Sequence, residues 1–427
     1  MSAVRTAGLT LVAVFMALTA TAWGQPAPSS MTVEDLLRQV TEHPDLRAAR
    51  LEVEAAEGRL LQAGLRPNPM LELGGQKALG PDNNLMVGVI VPLDLNGRKE
   101  GRVGVADAEA AMRRAQLAER ERRLRADVRT KAGEVLAAQR TLATTTALLE
   151  TNRRALSVVR DRVREGGAPA IDENLQLVEV NRLESMQRRQ QARVELLTLQ
   201  LMTIAGVAVV PAPALTGELG APALDLAIED AVRRALTVRP DVQAARADVA
   251  VAAARVRKEE AEGRWDASVN VGYQRQDFGY DLRGLTPSGA TRPIQDVFHY
   301  VGAGVTITLP VRNANQGNIA AARAEQQASE RRRALAELTV RHEVAAAWAQ
   351  AEGARQSLAL YERGVRDVAG RNVDIVRQAY QLGRGSLLDV IAEQRRFIEV
   401  ETGYTEALRQ VWDAATDAER AVGAPLR

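Results

Sequence analysis

Two hydrophobic periods share the chain. In its second half, Ala267, Val269, Val271 and Tyr273 alternate with Asp266, Ser268, Asn270 and Gly272. Further on, Val301, Ala303, Val305, Ile307 and Leu309 alternate with Tyr300, Gly302, Gly304, Thr306 and Thr308. A period of two over about ten residues, one face apolar and the other small or polar, predicts strands of a transmembrane barrel. A weaker pair stands in the first half, at Leu71-Glu72-Leu73 and residues 85–91. A proline-free stretch follows each pair, residues 98–165 and about 318–382, and reads as continuous helix. Such a helix runs roughly 100 Å at 1.5 Å per residue, deeper than any globular core. Shorter helices flank the first one. One starts at Pro44, where proline at the first helical position costs nothing, and runs to Leu65, before Pro67 and Pro69; the other covers 171–205. End to end they span roughly 84 Å and nearly match the long helix running back.

The pattern is a duplication. His43-Pro44-Asp45 returns as Arg239-Pro240-Asp241, 196 positions later. Val91-Pro92-Leu93 returns as Leu309-Pro310-Val311 at an offset of 218, and Gly166 with Asp172 returns as Gly383 with Asp389 at 217. One insertion in the second copy explains the jump in offset. It falls within 275–297, which is expected to be an extracellular loop longer than 77–84 of the first copy. The chain therefore divides into residues 1–24, a first repeat over 25–206, a Pro-rich linker over 207–222 and a second repeat over 223–427. Each repeat predicts one unbroken helix against two shorter ones, with a strand hairpin at one end and a tight turn at the other. The turns are Gly166-Gly167-Ala168-Pro169 and Gly383-Arg384-Gly385-Ser386, where glycine ends a helix in the left-handed conformation and Pro or Ser opens the next.

Four strands cannot close a membrane barrel, and open edges inside lipid leave backbone groups without partners. The chain is thus expected to assemble. Two copies give eight strands, whose interior side chains fill; three give twelve and leave a lumen. Gly272, Gly302 and Gly304 on the inner face suit an open bore. The predicted fold class is mainly α with a small β part: duplicated long-helix hairpins forming an α-helical barrel, continued by a trimeric twelve-stranded β-barrel.

Charge and composition narrow the function. Lys+Arg total 56 and Asp+Glu 54, too balanced for a nucleic-acid binder. Aromatics are 3% of the chain, yet Trp265, Tyr273, Phe278, Tyr280, Phe298 and Tyr300 crowd around the strands, as a belt at the membrane interface would. Cysteine is absent, which excludes disulfides, thiolate metal sites, a catalytic thiol and a lipidated N-terminal cysteine. Arg5, the apolar run 9–20 and the small residues after it read as a cleaved secretion signal, cut after Ala22 or Gly24. No later stretch has eighteen consecutive apolar residues, so membrane insertion must use strands. His43, His299 and His342 have no ligand spacing, and no phosphate loop or Ser/His/Asp grouping stands out. No catalytic residue, metal or cofactor is expected.

These features resemble the TolC family of outer-membrane efflux channels over nearly the whole mature chain. The residues that carry the resemblance are the duplication, His43-Pro44-Asp45, Pro67-Asn68-Pro69 and Pro92-Leu93-Asp94-Leu95-Asn96-Gly97. Pro-Asn-Pro and His-Pro-Asp look most like the heavy-metal branch, for cobalt-zinc-cadmium or copper. The resemblance implies a passive outer-membrane duct of a Gram-negative bacterium, carrying metal ions or drugs outward. It implies a homotrimer in outer-membrane lipid, a periplasmic adaptor and an inner-membrane pump of the resistance-nodulation-division type. Gly166, Gly167, Asp172, Gly383, Gly385, Ser386 and Asp389 resemble the tips that meet the adaptor. Asp367 and Asp374, seven residues apart on the helix before the second tip, form a candidate gate: three chains would make each a carboxylate ring. The alternative for this pair is an ordinary solvated face turned to Arg371 or Arg377. The rival for the whole chain is a secreted coiled-coil scaffold, which accounts for the helices but not for a strand hairpin at the same place in both repeats.

Overall fold

The first long helix exists as a single element, α3 (Arg98–Arg164), in the computed structural model, which describes residues 30–79, 82–208, 213–220 and 226–424. The secretion signal and its cleavage positions lie outside the described residues. Before α3 come β1 (Ser30–Thr32), α1 (Val33–Gln39), a 3-10 turn (Val40–Glu42), α2 (Pro44–Ala63), β2 (Met70–Lys77) and β3 (Asn83–Pro92); α4 (Ala170–Ala205) follows it. The second half runs β4 (Ala214–Thr216), α5 (Ile228–Val238), α6 (Pro240–Glu262), β5 (Asp266–Leu285), β6 (Thr291–Thr308), α7 (Gln316–Leu360), α8 (Arg366–Gln381) and α9 (Leu387–Val422).

Helices α2 and α6 both begin at a proline, but the cap before it differs. The His43 ring accepts the Asp45 N–H at 3.1 Å. Arg239 in the same place is 2% exposed, donates to both Asp241 oxygens and to the Ala421 carbonyl at 3.0 Å, and pairs with Glu343 at 2.6 Å. It pins the start of α6 to α7 and α9.

Along its length α3 packs on α2 and then α4, and also meets α6 and α9 of the second half. The thickest core lies where α1 crosses this bundle: Leu36, Val40 and Leu46 close on Val128, Ala132, Val135, Leu201 and Leu215. A second core gathers Ala231, Ala235 and Val242 against Val340, Val344 and Ala418. Elsewhere the seams are narrow and set by small residues. Trp412 of α9 lies against Gly133 of α3, where a Cβ would collide with the indole, and its Nε1 donates to the Arg129 carbonyl at 2.8 Å.

Two expectations change. The second long helix is not continuous: a π turn (Tyr361–Val365) separates α7 from α8, with Gly364 at φ 142°, a backbone state that side chains disfavour. The stretch 275–297 is not a loop but the outer part of the β5–β6 hairpin, paired up to a turn in which the Thr286 N–H donates to the Ala290 carbonyl at 2.8 Å. The stretch expected as a linker also holds a short strand, β4, which pairs in parallel with β1, Met31 opposite Leu215.

Candidate functional site: an apolar sheet face, a second face and two helix tips

The four long strands form one antiparallel sheet in the order β2-β3-β5-β6. Register turns the alternation of each strand into bands across all four. Leu71, Val89, Val271 and Ala303 share one row and Leu73, Val87, Tyr273 and Val301 the next; Val91, Val269 and Val305 continue the face on three strands. The opposite face carries Glu72, Gly88, Gly272 and Gly302 in one row and Gly74, Met86, Gln274 and Tyr300 in another. β3 is 10 residues long, the span of a tilted transmembrane strand. Leu71 is 65% exposed, Val301 81% and Ile307 52%, so the apolar face is bare in the single chain. β2 pairs only with β3, and β6 only with β5, which leaves both outer edges of the sheet open among the described residues.

The aromatic crowd does not form one belt. Tyr273 lies on the apolar face, where its hydroxyl meets His299 Nδ1 at 2.7 Å. Pairing is unbroken from Asp266 to Tyr280, so Phe278, Tyr280, Phe298 and Tyr300 fall on the opposite face with Gly272 and Gly302. Period two continued past Tyr273 in the sequence would have separated them, since 273 is odd and 278 and 280 even.

Where sheet passes into helix, the Pro92-to-Gly97 motif is an anchor. Asp94 and Asn96 take positive φ, 51° and 60°, which short polar side chains tolerate. Both Asp94 oxygens accept from Arg102, at 2.9 and 2.6 Å, and these bonds hold the Asp94 carboxyl below its usual range. Arg98 reaches the Glu262 and Arg264 carbonyls at 3.1 and 3.0 Å, tying the two repeats just below the sheet.

At the far end both turns have the geometry their residues require. Gly166 has φ 75° and Pro169 caps α4; Gly383 has φ 68° and Ser386 caps α9. Gly167 and Gly385 complete the two turns. Ser386 Oγ donates to Asp389 at 2.7 Å, and the Asp389 N–H donates back to Ser386 at 3.2 Å; the serine bonds hold that carboxyl below its usual range. Asp172, which follows the first turn, crosses to the other repeat: it accepts the Tyr380 hydroxyl at 3.0 Å. The Arg162 guanidinium covers the Tyr380 ring at 5.5 Å. Burial above all, and then the bond to Asp172, push the Tyr380 phenol up. Sequence reasoning missed this contact because nothing in one chain's linear order pairs residues in different repeats. Asp367 and Asp374 are both exposed on α8, and Arg377 pairs with Asp374 at 3.5 Å. Among the described residues no group of three His, Cys, Asp or Glu is placed to hold a metal ion, and no helix is long and apolar enough to cross a membrane.

The sequence model of the outer membrane efflux protein family matches residues 38–203 and 231–424. The chain belongs to this family. It is 25% identical over 384 residues to the cobalt-zinc-cadmium resistance protein CzcC of Cupriavidus metallidurans, covering 89% of this chain and 86% of that one. The fold matches CusC with a TM-score of 0.73 at 17% identity over 92% of each chain. It matches VceC of Vibrio cholerae at 0.71, with 17% identity over 92% of this chain and 97% of that one. The open state of MtrE from Neisseria gonorrhoeae matches at 0.70, with 18% identity over 92% and 89%. The efflux protein is thus a TolC-family chain, similar to the heavy-metal branch.

Proposed function

We propose that three copies of this chain close a twelve-stranded barrel in the outer membrane of a Gram-negative bacterium and continue it inward as a helical tube, a passive exit duct. The observation that carries the reading is the sheet: an exposed apolar face whose rows run across strands of eight residues and more, open at both edges among the described residues. Lipid covers such a face, and only neighbouring copies satisfy such edges without leaving backbone groups unpaired. On this reading α3 and α7 run inward from the barrel, and the two turns with Gly166 and Gly383 meet a periplasmic adaptor. An inner-membrane pump, of the resistance-nodulation-division type, supplies the energy. Similarity to the cobalt-zinc-cadmium resistance protein CzcC favours metal ions as cargo over drugs; the duct needs no resident metal, because tight binding in a pore slows release. The mature chain, unlipidated, holds to the membrane by its barrel, with repeats at 25–206 and 223–427 about a linker at 207–222.

The test is fractionation with crosslinking. The chain should stay in the outer membrane after a high-salt wash, run as a heat-modifiable trimer, and open channels in planar bilayers. A monomer that washes off would overturn the reading in favour of a coiled-coil scaffold.

A further inference from the structure

The displaced aromatics define a site of their own. On the face opposite the apolar band, the Phe278 and Phe298 rings meet edge to face at 5.7 Å, and Phe298 stacks with Tyr300 at 6.4 Å. Tyr280 continues the face one pair further out and is 50% exposed. Asp296 sits directly across from Phe278 on this face. One oxygen of its carboxylate accepts the N–H of Val297, and it forms no ion pair among the described residues. The nearby Arg275 is committed to Asp277 at 3.1 Å, on the other face. A cation on the same face, Arg292, stands four residues along β6, roughly 13 Å away at 3.3 Å per residue. A further carboxylate, Asp82 at the β2–β3 turn, accepts the Gly279 N–H at 2.7 Å. The partners of β3 end at Asp277, so this cluster lies at the outer rim of the four-stranded zone and just beyond it.

We propose that Phe278, Phe298 and Tyr300 with Asp296 form a binding site for organic cations, repeated three times around the mouth of the duct. This rests on the trimeric barrel, in which the apolar face meets lipid and the opposite face lines the bore. Phe298 and Tyr300 are exposed on this face and Phe278 is half-buried against Phe298, so the cluster presents aromatic surface to a polar lumen instead of to a core. Ring faces carry negative charge density and attract cations that part easily with water, and a carboxylate beside them adds a full opposite charge. That combination fits quaternary or aromatic ammonium ions. It does not fit anions, and strongly hydrated metal ions keep their water shell and gain little from a ring face. A twelve-stranded bore is wide enough that three such sites line it without closing it.

The experiment uses the full-length trimer in planar bilayers, with benzyltrimethylammonium added to either side in turn. The site predicts block from the hairpin side, weaker from the helix side, and much weaker block by neutral benzyl alcohol. Asp296→Asn, and Phe278→Leu with Phe298→Leu, should each raise the half-blocking concentration about tenfold, and the leucine pair should leave the unblocked conductance in potassium chloride unchanged. The leucines keep the apolar bulk, so a loss of block reads the ring face; should they prevent insertion, Asp296→Asn alone carries the test. Absence of block in the unmodified trimer, equal block in Asp296→Asn, or equal block by benzyl alcohol would overturn the site while leaving the duct intact. Absence of any channel would overturn the duct and the site with it.

Discussion

Trp412 and Gly133 meet with no space for a methyl group, so Gly133→Ala must move either α9 or the indole. Overpacking of this kind costs about 2 kcal/mol, read as a lower melting temperature of the helical circular dichroism signal. Trp412→Phe relieves the indole's bulk but loses the bond to the Arg129 carbonyl, at about 1 kcal/mol. Another residue gives stability a pH dependence. Burial, opposed by Arg409 and reinforced by Asp417, Glu134 and Glu406, pushes Asp413 up to about 6 from 3.8. The folded chain keeps this proton up to about pH 6 and the unfolded chain releases it near 3.8, so its contribution to stability falls as pH rises through that window. Asp413→Asn should therefore raise the melting temperature at about pH 7.5, by an amount equivalent to about 1–2 kcal/mol, and change little at about pH 4. An equal shift at both pH values would mean that the carboxylate acts through packing alone.

At the scale of elements, α4 and α9 are joined by one buried carboxylate. Glu179 is 1% exposed; Arg182 of its own helix donates at 2.5 Å and Arg395 of α9 at 3.0 Å. Burial works against its charge, but the two guanidinium groups outweigh it and hold the carboxyl below its usual range. Glu179→Ala leaves both arginines partly solvated, so we expect a loss of about 2 kcal/mol, less than a fully buried pair would show, in thermal unfolding. How far such elements can be read beforehand depends on what sets them. The 67-residue α3 was legible because proline-free helix and a capped glycine turn are local facts. The π turn was not: in the sequence Gly364 reads like Gly353 or Gly370, and only its φ of 142° in the fold sets it apart. The hairpin over 275–297 failed as a loop because the offset between repeats counts an insertion without telling strand from coil. The apolar band was legible strand by strand. Its continuity needed the register, and so did the face of the aromatics.

For the whole molecule, the hairpin turn and the helix tips lie at opposite ends, and each can be probed. An epitope inserted after Ser288, in the turn that closes the β5–β6 hairpin, should be labelled on intact cells; labelling only after outer-membrane rupture would reverse the orientation. At the other end, Asp367→Ala with Asp374→Ala should lower cation selectivity in single-channel recordings and weaken block by trivalent cations from the helix side. Selectivity unchanged in an intact trimer would leave Asp374 as no more than the partner of Arg377. The short parallel pair of β1 and β4 has a consequence for timing. A chain delivered from its start releases Ser30–Thr32 early, yet their partners Ala214–Thr216 arrive more than 180 residues later. Met31, Leu36 and Val40 share one core with Leu215, so that core stays unfinished while the local helices of the first repeat are already forming. Contacts of such long reach come late in folding. The beginning of this protein is thus among the last parts to settle, and a chain halted before Ala214 would hold its own start open to proteases.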